Sequence, residues 1–519
     1  MSKEKFIKSL DKGYTFKGES IMVGTAMFEG EPIPNSLIKI PLKSLTRHGL
    51  IAGATGTGKT KSLQILAEQM SNFGIPSLVM DLKGDLSGLA QPGENNKHIE
   101  WRHGMIGVPY EPGAKPVELL SLSNEKGAKL RATVSEFGPI LISKILDLND
   151  TQSGIMAVTF KYADDNKLPI LDLKDLKKTL QFTIGDGKEA FVEEYGAVSK
   201  TSVNTIFRKI IELEQQGAET FFGELSFDVR DLLHKDKDGK GMINIIRLTD
   251  IQDRPKLFST FMLSLLAEVY STFPEEGDLD KPKLCIFIDE AHLVFSSASK
   301  ALQEQIEVII KLIRSKGVGI YFITQNPTDV PDAVLSQLGL KIQHALRAFT
   351  AKDRKEIKQT AQNYPISEFY KTDEVLTSLG IGEALVTSLN EKGIPTPLAA
   401  TLMRAPETRM DILTKKEIND IVQNSTLSEK YNVEIDSKSA YEILTGKITK
   451  AQEEEAQAKL KEEQAKAKKE QEKVKKTTAR KKKEVGTVEK ITKNTLVRQI
   501  GRTVFKEIAR GLLGVLGVK

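Results

Sequence analysis

The chain of 519 residues has a single cysteine, Cys285. No intrachain disulfide can form, and a zinc site built on several cysteines is excluded. Scarce cysteine also fits a reducing compartment. No run approaches the roughly 20 apolar residues that a bilayer-spanning helix needs, and the opening MSKEKFIKSLDKGYTF has no apolar stretch that could serve as a signal peptide. The expectation is a soluble, cytoplasmic protein with no membrane contact. A general basic character is lacking as well. The net charge is +5, but residues 451–519 alone carry 19 Lys and Arg against 10 Asp and Glu, which leaves residues 1–450 at −4. The body therefore shows no overall electrostatic footprint for DNA.

Within that acidic body the sequence alternates strand and helix signals. Residues 14–45 mix apolar–polar alternation with turn formers, so residues 1–45 read as a small β-rich lead-in. Residues 46–91 read strand, glycine-rich turn, helix, strand. Leu63, Leu66, Ala67 and Met70 recur at i, i+3, i+4 and i+7, the spacing of a helix with one buried face, and Gly74 and Pro76 end it. Residues 92–240 read either as a mostly helical insertion or as a separate folded domain. The alternation resumes over 241–410, with apolar strands at MINIIRL (242–248), LCIFID (284–289) and GIYFIT (319–324), and later runs at 342–346 and 384–387. Such alternation predicts an α/β fold with a mainly parallel sheet covered on both faces. Residues 411–450 read as a helical extension. Residues 451–495 form a charged linker, helical or disordered, without an apolar stripe. Over 496–519, Val497, Ile500, Val504, Ile508 and Leu512 share one helical face with basic residues interleaved, which reads as an amphipathic docking helix for a protein partner.

The chemistry lies in two segments. GATGTGKT at residues 53–60 satisfies G-x-x-x-x-G-K-[ST] between a strand and a helix. Gly53, Ala54, Thr55, Gly56, Thr57, Gly58, Lys59 and Thr60 would cradle a triphosphate. The glycines let backbone N–H groups turn inward, and the helix N-terminus adds partial positive charge. Lys59 is expected on the β- and γ-phosphates and the Thr60 hydroxyl on Mg²⁺, so ATP and Mg²⁺ are the implied ligands. LCIFIDEAH at 284–292 is the complementary half. Asp289, at the end of a buried strand, would hold the magnesium shell through water, and Glu290 would orient and deprotonate the attacking water. Asp-Glu-Ala-His also spells the box of one RNA-helicase class, but that class's companion motifs are missing.

Gln325, ending the next strand, reads as a sensor of the γ-phosphate or as a turn-forming amide. Arg314, closing the helix before it, reads as an arginine finger for a neighbouring subunit or as a helix C-terminal cation. Arg347 and Arg404 are further finger candidates. Asp81, which ends the strand at 77–81, reads as a contact to the metal's water shell or, with Asp85, as a turn residue. DKDGKG at 236–241 lacks the later ligands of a calcium loop and reads as a turn.

The segments TRHGLIAGATGTGKT, VMDLKGDLSGLA, LCIFIDEAHLVF, IRSKGVGIYFITQNPTDVP and LGIGEALVTSLNEKG together resemble the HerA/FtsK branch of additional-strand P-loop ATPases. IFRKIIELEQQGAETFFGE and GRTVFKEIARGLLGVLG resemble the bacterial YjgR-like proteins within it, which carry a HerA-like helicase C-terminal domain. The resemblance implies a RecA-like core, Gln325 as a sensor, Asp289 and Glu290 in the roles above, and a homo-oligomeric, hexameric ring with a trans-acting arginine. HerA itself processes DNA with a nuclease, so the resemblance implies a helicase- or translocase-like motor on DNA. The acidic body favours the alternative, an ATP-dependent switch or remodeller of a protein partner.

Overall fold

The computed structural model describes residues 2–251, 254–296 and 300–481. The described residues fall into two units, one running through residue 445 and the other covering residues 446–481. The docking helix expected over 496–519 lies outside the described residues.

Twelve strands form one sheet in the first unit. In chain order they are β1 (Ser20–Phe28), β2 (Glu31–Pro41), β3 (Gly49–Ala52), β4 (Ser77–Asp81), β5 (Val117–Ser121), β6 (Ala128–Lys129), β7 (Ile243–Arg247), β8 (Leu284–Ile288), β9 (Val318–Thr324), β10 (Leu340–His344), β11 (Glu383–Thr387) and β12 (Ala399–Met403). The spatial order is β2-β1-β12-β11-β10-β3-β9-β8-β4-β7-β5-β6. From β10 to β6 every pair is parallel. The wing from β2 to β10 is antiparallel. Every residue of β3, β4, β8 and β9 is buried, as expected for parallel strands with helices on both faces. Two large apolar clusters, one holding Leu50, Met80 and Ile288 and the other Ile51, Val79 and Phe287, pack the two faces.

Residues 92–240 do more than add helices. They supply helices such as Asp150–Asp165 and Lys200–Gln215, and also β5 and β6, which extend the sheet beyond β7. VELLS is too short to announce itself as a strand, and its pairing with β7 makes it one. The chain also begins with a helix, Lys3–Tyr14, ahead of the β lead-in. Ser2 Oγ accepts the Lys5 N–H, and Phe6, Leu10 and Tyr14, one turn apart, are buried. The helix Ala440–Lys481 starts in the first unit, where Ala440 and Leu444 are buried. In the second unit its residues 451–473 are exposed. No helix among the described residues is long and apolar enough to cross a membrane.

The helix Lys59–Asn72 departs from the one-faced expectation, because residues 62–71 are buried all round. The sheet covers one side. The other side is covered by residues 404–413, which follow β12 and run along the helix as a strap. Glu68 accepts hydrogen bonds from Glu407 N–H, Thr408 N–H and Thr408 Oγ1. Gln64 Nε2 donates to Thr408 Oγ1 and Arg409 O, and Lys61 Nζ to Met410 O. Glu407 is paired in turn with Lys115 at 2.6 Å and Arg404 at 3.0 Å.

Burial, with the like charge of Glu407, pushes Glu68 up to about 7 from an ordinary value of 4.5. Between those two values the folded chain holds a proton that the unfolded chain has released. The stability from this group is thus complete below pH 4.5 and falls as pH rises towards 7. Glu68→Gln is expected to flatten that fall, by on the order of 3 kcal/mol between the two limits. Thermal melts of both proteins across this range measure it, and equal pH slopes would count against a raised Glu68.

Candidate active site

The site is assembled at the C-terminal ends of four neighbouring parallel strands, where open α/β sheets bind ligands. The end of β3 leads into the glycine-rich loop, β9 into Gln325, β8 into Asp289 and β4 into Lys83.

The loop is braced from both sides. Gly53 N–H donates to Thr324 O at 3.3 Å, and Ala54 N–H to Ala345 O at 2.8 Å. Gly382 N–H donates to Thr57 O at 3.0 Å. Gly53 has φ 151°, and a Cβ there would stand 2.5 Å from His344 Cβ, so no other residue fits. Gly56 and Gly58 also have positive φ, 77° and 118°. Among the described residues, no protein acceptor takes the N–H of Thr55, Gly56 or Gly58. These are fixed donors at the start of a helix, suited to phosphate oxygens. Behind the loop, His344 Nδ1–H donates to Glu383 O and Nε2 accepts from Ser62 Oγ. Burial pushes this imidazole down to about 4, so it is neutral and serves as a brace.

Lys59 is buried, and its Nζ donates to Gly53 O at 2.7 Å and Ala54 O at 3.1 Å, which curls it over the loop. Burial and then the Lys83 charge lower its pKa, while Glu290 and Asp289 oppose them. Lys59 therefore senses both acidic residues, and the two halves of the motif meet.

Asp289 and Glu290 are both buried. Asp289 Oδ1 accepts the Glu290 N–H at 2.9 Å, while Oδ2 is buried without a hydrogen-bond partner. Burial, then the adjacent Glu290, push Asp289 up to about 7. An orphaned carboxylate oxygen in this position fits a divalent cation, which would relieve both costs. Among the described residues no cluster of three or more His, Cys, Asp or Glu could cage a metal alone, so Mg²⁺ here would need the phosphates as co-ligands, its common mode. Glu290 has φ 48°, in the left-handed region that a non-glycine residue seldom adopts. Lys83 forms an ion pair with Glu290, and His292 Nδ1 lies 3.3 Å from Glu290 Oε2.

Lys83 is a residue of this strand-end cluster that the sequence alone did not single out. It follows β4, the neighbour of β8, and a charged residue just past a strand end beside the acidic pair was the available signal. Its pKa is raised, because Glu290, Asp289 and Asp85 outweigh the effect of burial. Lys83→Ala is expected to slow ATP turnover roughly tenfold, the scale of one charge-assisted hydrogen bond. Its side chain is 45% exposed, so the melting temperature should stay near that of the parent. Unchanged turnover would reduce Lys83 to a bystander.

The remaining candidates divide. Gln325 lies beside the loop, with Thr55 Oγ1 3.4 Å from Gln325 Oε1. Arg347 and the exposed Phe349 line a cavity of about 440 Å³ with Ala54, Thr55 and Gln325. Asp81 accepts from the N–H groups of Gly84, Asp85 and Leu86, which is turn use. Arg404 is committed to Glu407 within the strap. Arg314 precedes β9 and so lies at the opposite end of the strands from the loop of its own chain.

Residues 28–519 match the family described as Helicase HerA-like C-terminal. The DNA double-strand break repair helicase HerA of Sulfolobus acidocaldarius is 24% identical over 359 residues, covering 68% of this chain and 64% of that protein. A probable helicase of Methanocaldococcus jannaschii is 26% identical over 386 residues, covering 67% and 65%. The chain thus spans just under two thirds of these curated relatives. Among solved structures, the bacterial conjugative coupling protein TrwB superposes with a TM-score of 0.50 at 14% identity, over 78% of this chain and 94% of that one. At that identity the likeness concerns the fold alone. The family match, by contrast, runs through both halves of the phosphate site and most of the sequence: the chain belongs to the HerA-like helicase C-terminal family of P-loop ATPases.

Proposed function

We propose that this protein hydrolyses ATP as a ring-forming motor of the cytoplasm that acts on DNA. The observation that supports the catalytic half is the placement of Lys59, Asp289 and Glu290 at neighbouring strand ends, where both carboxylates act on the Lys59 ammonium and Glu290 acts on Asp289.

In this reading the N–H groups of Thr55, Gly56 and Gly58 and the Lys59 ammonium hold the phosphates and neutralise charge that grows during transfer. Thr60 and the free oxygen of Asp289 would hold Mg²⁺, which supplies further charge neutralisation on the phosphate oxygens. Glu290 takes the proton from the attacking water, and its ion pair with the Lys83 ammonium orients that carboxylate. Gln325, against Thr55, registers the terminal phosphate. Arg314 faces away from its own loop, so a catalytic role for it requires a neighbouring copy.

The relatives' description as DNA repair helicases supports DNA as the polymer. The acidic body, −4 over residues 1–450, favours a second reading in which nucleotide state switches a protein partner. ATPase assays with and without single- and double-stranded DNA, beside a mass measurement of the nucleotide-bound assembly, separate the two. Stimulation by DNA that fades steeply with salt supports the motor. Hydrolysis indifferent to DNA, with no binding at low salt, removes DNA from the proposal, and a monomeric mass removes the ring.

A further inference from the structure

At the N-terminal ends of the strands, opposite the phosphate loop, lies a cavity of about 540 Å³. Four cations line it: Arg47 before β3, Lys341 in β10, and Lys311 and Arg314 at the end of the helix Lys300–Ile313. None has a carboxylate within ion-pair distance among the described residues. Asp278, the acid whose field reaches Arg47 and Arg314, is already paired with Lys43 at 2.9 Å. Lys341 Nζ donates only to Asn363 O at 2.8 Å, and burial lowers its pKa.

Four cations without an ion-pair partner among the described residues thus surround one hollow. One kind of ligand answers that charge: an anion with several charged oxygens. A lone carboxylate would leave most of the positive charge unanswered, whereas two or three linked phosphates would match it.

We infer that this cavity is a second phosphate site, distinct from the glycine-rich loop, that binds a polyanion through Arg47, Lys311, Arg314 and Lys341. The phosphates could belong to a free or nucleotide polyphosphate or to a nucleic-acid backbone. The inference stands apart from the proposed ATPase reading, because it requires nothing of Lys59 or Glu290.

The test uses full-length protein carrying Lys59→Ala, which disables the loop. Calorimetric titration with inorganic tripolyphosphate should show one saturable site that weakens as salt rises. Adding Arg47→Gln should weaken it roughly tenfold, the scale of one charge-assisted hydrogen bond. The exposed pair Lys311→Ala and Arg314→Ala should weaken it at least as much, and is the safer variant for folding. A labelled oligonucleotide then identifies the source. If tripolyphosphate displaces it and the same substitutions weaken it, the phosphates are those of a nucleic-acid backbone. If the oligonucleotide is unaffected while tripolyphosphate binding still depends on these residues, they are those of a free or nucleotide polyphosphate. No tripolyphosphate binding, or binding that neither variant alters, overturns the inference.

Discussion

Lys59→Ala is expected to lower ATP turnover by roughly 10²–10³-fold, the cost of removing one fixed electrostatic contact from a phosphate-transfer site. Three features set that scale. The ammonium is buried, it reaches two loop carbonyls, and both acidic residues of the opposite strand raise its pKa against burial. Neither Lys83, engaged by Glu290, nor Arg314, at the far end of the sheet, stands ready to replace it. The fold itself should survive, because the loop is braced by Thr324, Ala345 and Gly382 through backbone bonds that the substitution leaves intact. Steady-state hydrolysis alongside a thermal melt checks both halves. Near-normal turnover in a well-folded Lys59→Ala protein would remove the loop from the reaction.

Glu290→Gln should separate binding from chemistry. The amide is isosteric and the backbone conformation at φ 48° is no worse for glutamine than for glutamate. Only the proton-accepting carboxylate and its pairing with Lys83 are lost. Removing a general base costs about 10²–10⁴ in rate, so the turnover number should fall by that factor. Nucleotide affinity should hold or tighten, because Asp289 loses the neighbouring charge that helps raise its pKa and becomes a better anion for a cation. Single-turnover hydrolysis and nucleotide titration on the same preparation read the two effects. A variant that still turns over ATP at the parental rate would show that another group activates the water.

These two expectations could be written from sequence because their residues are contiguous. Residues 53–60 and 284–292 each carry their own context of strand, turn and helix, and the strands around them are runs of apolar residues bounded by turn formers. The bounds of β3 and β4 are those the apolar runs imply.

What the sequence left hidden depends on distant partners. β5 is a strand because β7 lies beside it, and Lys83 matters because β8 brings Glu290 to it. Ser388 and Arg47 share a cavity although more than half the chain separates them. The helix Lys3–Tyr14 is a different kind of miss. Its cap and its turn-by-turn apolar spacing were present, and the β signal that follows drew attention away from them.

The strap along the phosphate-loop helix bears on how much chain a working unit requires. Sheet order alone would let the ATPase end after β12, at Met403. A protein shortened there would leave Glu68 as a carboxylate stripped of all its donors, and would take from Gln64 and Gln69 their strap partners on the helix that opens at the glycine-rich loop. The smallest self-sufficient unit therefore extends at least through Leu413, whose N–H is anchored on Ser87 Oγ, and any cut placed earlier undermines the catalytic helix from behind.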